Sequence, residues 1–139
     1  MPTDQARNFN WLLSTFVEET AGVTDAMAVS SDGLLIARST SPGGHGSDEL
    51  CAIIAGSTSL AAAASTAVDG GGVDRVIVAM VQGFLFVSAI ADGSCLGIVA
   101  SRDCDISSVG FQTTDLVDRA GALLTPALRE ELKQSAAGG

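Results

Sequence analysis

The chain has no tyrosine, one tryptophan and one histidine, and seven basic residues stand against sixteen acidic ones. Each scarcity removes a class of function. Net charge is −9 and the basic residues are scattered. Nothing gathers them into the basic patch that nucleic acid or an anionic membrane requires. His45 sits in a Gly-rich stretch with no cysteine or second histidine nearby, so it lacks the companions of a metal site or a catalytic base. Cys51, Cys95 and Cys104 form an odd set without a CxxC pair, which fits small buried thiols better than a disulfide framework or a zinc site. The first thirteen residues lack the basic region and long apolar core of a secretory signal. The expected location is the cytoplasm.

The remaining candidates for chemistry fail on spacing. Gly56-Ser57 does not fall in a GxSxG elbow. Gly70-Gly71-Gly72 precedes a strand pattern and no GK[ST] follows, so it is no phosphate loop. Asp103-Cys104-Asp105 offers too few oxygens for a cation and reads as a helix-capping cluster. Arg38, Arg75, Arg102 and Arg119 are isolated from one another. No catalytic residue, cofactor or metal is expected, and the chain is read as a non-enzyme.

What the sequence has is an uncharged run, Leu50 to Val68, between Asp48-Glu49 and the Asp69-Gly72 segment. Acidic residues suit a helix start, and the glycines are a natural stop. Leu50, Ile53, Ile54, Ser57, Leu60, Ala61, Ala64 and Val68 recur at helical spacing and are assigned to the core. Cys51, Ala55, Thr58, Ser59, Ala62 and Thr66 fall on the opposite face. A helix with no charge on any side is expected to be covered on every side. Gly56 and several Ser/Thr residues dilute it as a membrane span, although its length is near the required ~20 residues. The expected cover is a second copy of the same chain.

With 139 residues and 47% apolar content, the chain suits one compact domain. That domain is placed at residues 1–134, with 135–139 as a loose tail. A first helix begins at Thr3-Asp4 and runs to about Thr20, with Phe9, Leu12, Leu13, Phe16 and Val17 on its apolar face and Trp11 off it. Strands at 24–30 and 34–40 flank Asp32-Gly33, a strong hairpin signal. The segment 41–47 is a loop by composition. Strands at 73–81, 84–91 and 94–101 turn at Gln82-Gly83 and Asp92-Gly93. A last helix starts near Ile106, and Pro126 should kink or restart it.

The order is α-β-β-α-β-β-β-α. It defines an α+β fold, a single layered domain with a five-stranded, mainly antiparallel sheet and helices on both faces. The strand after the glycine run is apolar and would aggregate if its edge were left bare. Pairing it with a symmetry mate, while the uncharged helices meet, removes both exposures. The residues assigned to that homodimer interface are Ala55, Ser59, Ala62 and Thr66 on the helix, with Val76 and Val78 on the strand.

Residues 5–134 resemble the roadblock family, named from a dynein light chain. VTDAMAVSSDGLLIARS matches its first hairpin, IIAGSTSLAAAAS its middle helix, DRVIVAMVQGFLFVSAIADGSCLGIVAS its meander, and DISSVGFQTTDLVDRAGALLTPALREEL its last helix. The short acidic bacterial members, found beside a small Ras-like GTPase and a sensor-kinase-like protein, are the nearest in pattern. The resemblance implies a homodimer that acts as a signalling scaffold or regulator of such a GTPase. Activation, inhibition and simple localisation of the GTPase remain open. Acidic residues Asp25, Asp48, Glu49, Asp115 and Asp118 would suit a basic partner. The alternative is a small-molecule sensor of the PAS or GAF kind, which would need a pocket between sheet and helix.

Overall fold

Thr3 starts the first element. In the computed structural model, which describes residues 3–39, 48–90 and 93–138, its hydroxyl accepts a hydrogen bond from the Ala6 N–H at 3.2 Å. This N-cap satisfies one of the free donors at a helix start. Helix α1 (Asp4–Glu19) follows. Its i, i+3, i+4 spacing buries Phe9, Leu12, Leu13 and Phe16 and leaves Trp11 63% exposed.

The further elements are β1 (Val23–Val29), β2 (Leu35–Arg38), α2 (Asp48–Ala67), β3 (Val76–Met80), β4 (Gly83–Ala89), β5 (Cys95–Ser101), α3 (Ile106–Leu123) and α4 (Pro126–Gly138). The strands form one sheet in the order β2-β1-β5-β4-β3. Every neighbouring pair is antiparallel. The expected loop at 41–47, with His45, lies outside the described residues, as does Asp92.

Turn chemistry accounts for the hairpins. Gly33, at φ +87°, donates its N–H to the Ser30 carbonyl at 3.0 Å, and Gly93, at φ +91°, does the same to Ile90 at 3.0 Å. Both positive angles suit glycine. The third turn differs from expectation. Val81 and Gln82 make it, and Gly83 already pairs in β4. A side chain at Gly83 would come within 2.8 Å of the Ala100 carbonyl oxygen, so glycine is needed there for close strand approach.

Strand alternation divides the core in two. Ala26, Ala28, Phe84, Phe86, Leu96 and Ile98 turn toward α1, α3 and α4. Met27, Val29, Leu85, Val87 and Cys95 turn toward α2. The layered α+β arrangement with helices on both faces is therefore present, with one helix more than the sequence order implied. Pro126 does restart the chain, as α4, which buries Leu128 and Leu132 and lies along β2. Thr3 donates both its N–H (3.2 Å) and its hydroxyl (2.9 Å) to the Glu131 carboxylate, tying α4 to the start of α1. The backbone is helical through Gly138, into the segment expected as a loose tail.

Candidate interaction surface

Helix α2 sits on its face of the sheet in a different rotation from the one the spacing suggested. Cys51, Ile54 and Ala55 are buried against the strands, with Leu50, Thr58 and Ala61 half-buried beside them. The spacing puts Cys51 and Ala55 outward; they point in. It puts Ile53, Leu60 and Val68 inward; they point out, at 50%, 74% and 76% exposure. The reason is steric. Ile54 drops onto Gly97, the one β5 residue here without a side chain, and that seat fixes the helix phase.

Of the six residues expected at a dimer contact, Ala55 is thus an inner residue of this chain. Ser59, Ala62 and Thr66 lie on the exposed side of α2. Val76 pairs with Val87 and Val78 with Leu85, which puts both on the α2 side of the sheet. Val76 is half-buried there and Val78 is 38% exposed. Ile53 and Leu60, expected in the core, and Met80 and Val81, not assigned to that contact, are also exposed. Only Met80 and Val81 carried a signal in sequence, being apolar residues at the end of an edge strand.

The hydroxyls of α2 do not make this surface polar. Ser57 and Thr58 donate to the Ile54 carbonyl at 2.8 and 3.2 Å, Ser59 to Ala55 at 3.4 Å, and Thr66 to Ala62 at 3.2 Å. With their donors already engaged within the helix, they cost little to cover. Beside α2, β3 pairs with β4 on one side, and among the described residues nothing pairs with its other edge. A helix face and a strand edge, both apolar, therefore adjoin. A hollow of about 520 Å³, lined by Thr24, Leu50, Met80, Leu85 and Val99, opens beside them.

The charged side chains near the sheet and on α3 are occupied in holding the fold. Asp105 accepts from the Ser108 N–H at 3.1 Å and caps α3; Asp103 accepts from the Ser101 hydroxyl at 2.6 Å. Arg102 donates to the Met80 carbonyl at 3.3 Å and stacks over Phe84, 4.9 Å from the ring centre. Arg119 lies 3.8 Å from Asp115. Asp25, named as surface acid, is 1% exposed and belongs to no surface. Among the described residues no three His, Cys, Asp or Glu side chains gather as a metal site would require.

The fold is thus a layered α+β domain in which the mostly neutral helix α2 and the edge strand β3 lie on one side. Residues 9–100 match the family model of the Roadblock/LC7 domain, and the chain belongs to that family. A Roadblock/LC7 domain from Streptomyces avermitilis is 32% identical, with a TM-score of 0.72 over 79% of this chain and 92% of that one. The gliding protein MglB from Thermus thermophilus superposes with a TM-score of 0.78 at 13% identity, covering 88% and 93% of the two chains. An MglB in a tetrameric arrangement gives 0.78 at 13% identity, covering 95% of each. At that identity the two MglB structures speak for the fold alone. None of the curated proteins matches the chain.

Proposed function

We propose that the chain is a non-enzymatic homodimer that binds and regulates a small Ras-like GTPase, as a scaffold in a cytoplasmic signalling complex that also holds a sensor-kinase-like protein. The observation that carries this reading is the apolar surface of α2 and the bare β3 edge, in a chain of the Roadblock/LC7 family. Two copies joined through Ser59, Ala62 and Thr66 would cover the helix. Pairing of β3 with its mate would extend the sheet across a two-fold axis. Ala55 then supports the contact from beneath.

Helix α2 is also long and apolar enough to cross a membrane by length and composition, with a mean hydropathy of 1.5. Its seat on Gly97 and the glycine and hydroxyl residues within it favour the soluble reading.

The test is a pull-down with the small GTPase encoded nearest this gene, loaded with GDP or a GTP analogue. Preference for the GTP form supports a nucleotide-sensing regulator, and a turnover assay then separates activation from inhibition. Equal binding supports a scaffold. Absence of binding in both states removes the GTPase reading. The hollow beside Leu50 and Met80 favours one rival, a small-molecule sensor. A reproducible thermal shift with a metabolite panel would establish that rival instead.

A further inference from the structure

We infer that the groove between α1 and α3 is a docking site for an amphipathic, basic segment of a partner protein. It lies on the sheet face opposite α2, so it stays open when two copies meet through α2 and β3, and it does not rest on the GTPase reading. Two hollows of about 430 and 380 Å³ share Leu12 and Arg119 and join into one groove. Leu12, Phe16 and Leu116, all buried, lie at its base, and the walls of the larger hollow are mainly polar.

The two ends differ in chemistry. At one end Trp11 stands beside Leu123. Trp11 is 63% exposed and off the stripe that packs α1, so the core does not account for its placement. Exposed tryptophan beside a groove is the side chain most often found as an anchor in protein contacts. Away from Trp11, Glu19 and Asp115 line the groove, and Glu18 and Asp118 are exposed on the same two helices. Arg119 pairs with Asp115 at 3.8 Å, which leaves these segments of the two helices with more carboxylates than cations. The carboxylates repel nucleic acid and acidic lipid and attract a cationic side chain.

Trp11 and Glu19 are eight residues apart on one helix, a span of about 12 Å. The occupant therefore carries a bulky apolar residue and an Arg or Lys at that separation. In a helix this is seven or eight residues, about two turns. In an extended segment it is about four residues.

Trp11 is the only tryptophan and the chain has no tyrosine, so intrinsic fluorescence reports this groove alone. The probe is an 18-residue Ala/Gln helical peptide with a Leu pair and an Arg pair two turns apart. Its control carries Glu in place of Arg. The Leu/Arg peptide is expected to shift Trp11 emission to the blue and saturate, while the Leu/Glu peptide binds at least about tenfold more weakly. Glu19→Lys with Asp115→Lys should abolish that preference. The charge-matched pair Glu49→Lys with Glu130→Lys, away from the groove, should keep it, each variant being checked for an unchanged circular dichroism spectrum. Equal binding of the two peptides, no binding of either, or equal loss in both double variants overturns the inference.

Discussion

Ile54 of α2 sits over Gly97 of β5: a methyl group at Gly97 would overlap Ile54 Cδ1 and lie 3.5 Å from Met27 Cγ. Both Ile54 and Met27 are essentially fully buried, so neither has room to turn aside. Gly97→Ala is expected to destabilise the fold by about 1–3 kcal/mol through overpacking. Ile54→Val alone should cost ~0.5–1.5 kcal/mol. Made in the Gly97→Ala background it removes the overlapping methyl and should cost less, or restore stability. Urea unfolding of the four proteins measures the coupling, and simple additivity would count against this contact.

Arg75 fastens α3 to the approach of β3. Its guanidinium donates to the Gly110 carbonyl at 2.8 Å and the Thr114 hydroxyl at 2.7 Å, and a side chain at Gly110 would lie 2.6 Å from it. Arg75→Ala should cost about 1–2 kcal/mol in urea unfolding. Both bonds leave from one nitrogen, Nη2, so Arg75→Lys should recover part of that, an ammonium having donors enough for both acceptors but a shorter reach. Gly110→Ala should act in the same direction by displacing the guanidinium.

Arginine at two positions of α2 should have opposite consequences. Ala62 is exposed in the single chain, so Ala62→Arg is expected to leave the fold intact and halve the mass seen by light scattering. Ala55 is 8% exposed against the sheet, and Ala55→Arg should lower stability by more than about 4 kcal/mol by burying a charge. A folded Ala62→Arg protein of unchanged mass would remove Ala62 from the self-association contact.

The stop after α2 is made by an aspartate where glycine is usual. Asp69 has φ +54°, and the Gly70 N–H returns to the Ser65 carbonyl at 2.7 Å, the arrangement of a Schellman cap. The left-handed angle is costly for a residue with a side chain, and a carboxylate is unfavourable at a helix C-terminus. Asp69→Gly should therefore raise stability by about 1 kcal/mol, read as a higher urea midpoint.

Alkaline pH should weaken the fold through two thiols. Burial, and then the Asp48 charge, pushes Cys51 above its ordinary value of 9.0. Burial, and then Asp103 and Asp105, moves Cys104 the same way. Both hold their protons more tightly folded than unfolded. Their contribution is intact below the unfolded value near pH 9 and is lost as pH rises through the raised folded values. Thermal midpoints from about pH 8 to pH 10.5 should fall above pH 9, and a Cys51→Ala, Cys104→Ser protein should fall less.

The sequence by itself determined the order of elements as far as α3, and most of their faces. Phe9, Leu12, Leu13 and Phe16 contrast with polar neighbours, so α1 has one possible phase. Asp32-Gly33 and Gly93 mark turns because only a left-handed residue closes them. The run from Leu50 to Val68, between an acidic pair and a glycine run, announced a helix. Which side of that helix meets the sheet was decided only in three dimensions. Ala, Ser and Thr on every side give almost no difference in transfer energy between one rotation and another. A steric seat breaks the tie, where Ile54 enters the space left by Gly97, forty-three residues further along the chain. The α1–α3 groove was likewise out of reach, because Trp11, Glu19 and Asp115 come together only when the two helices pack side by side.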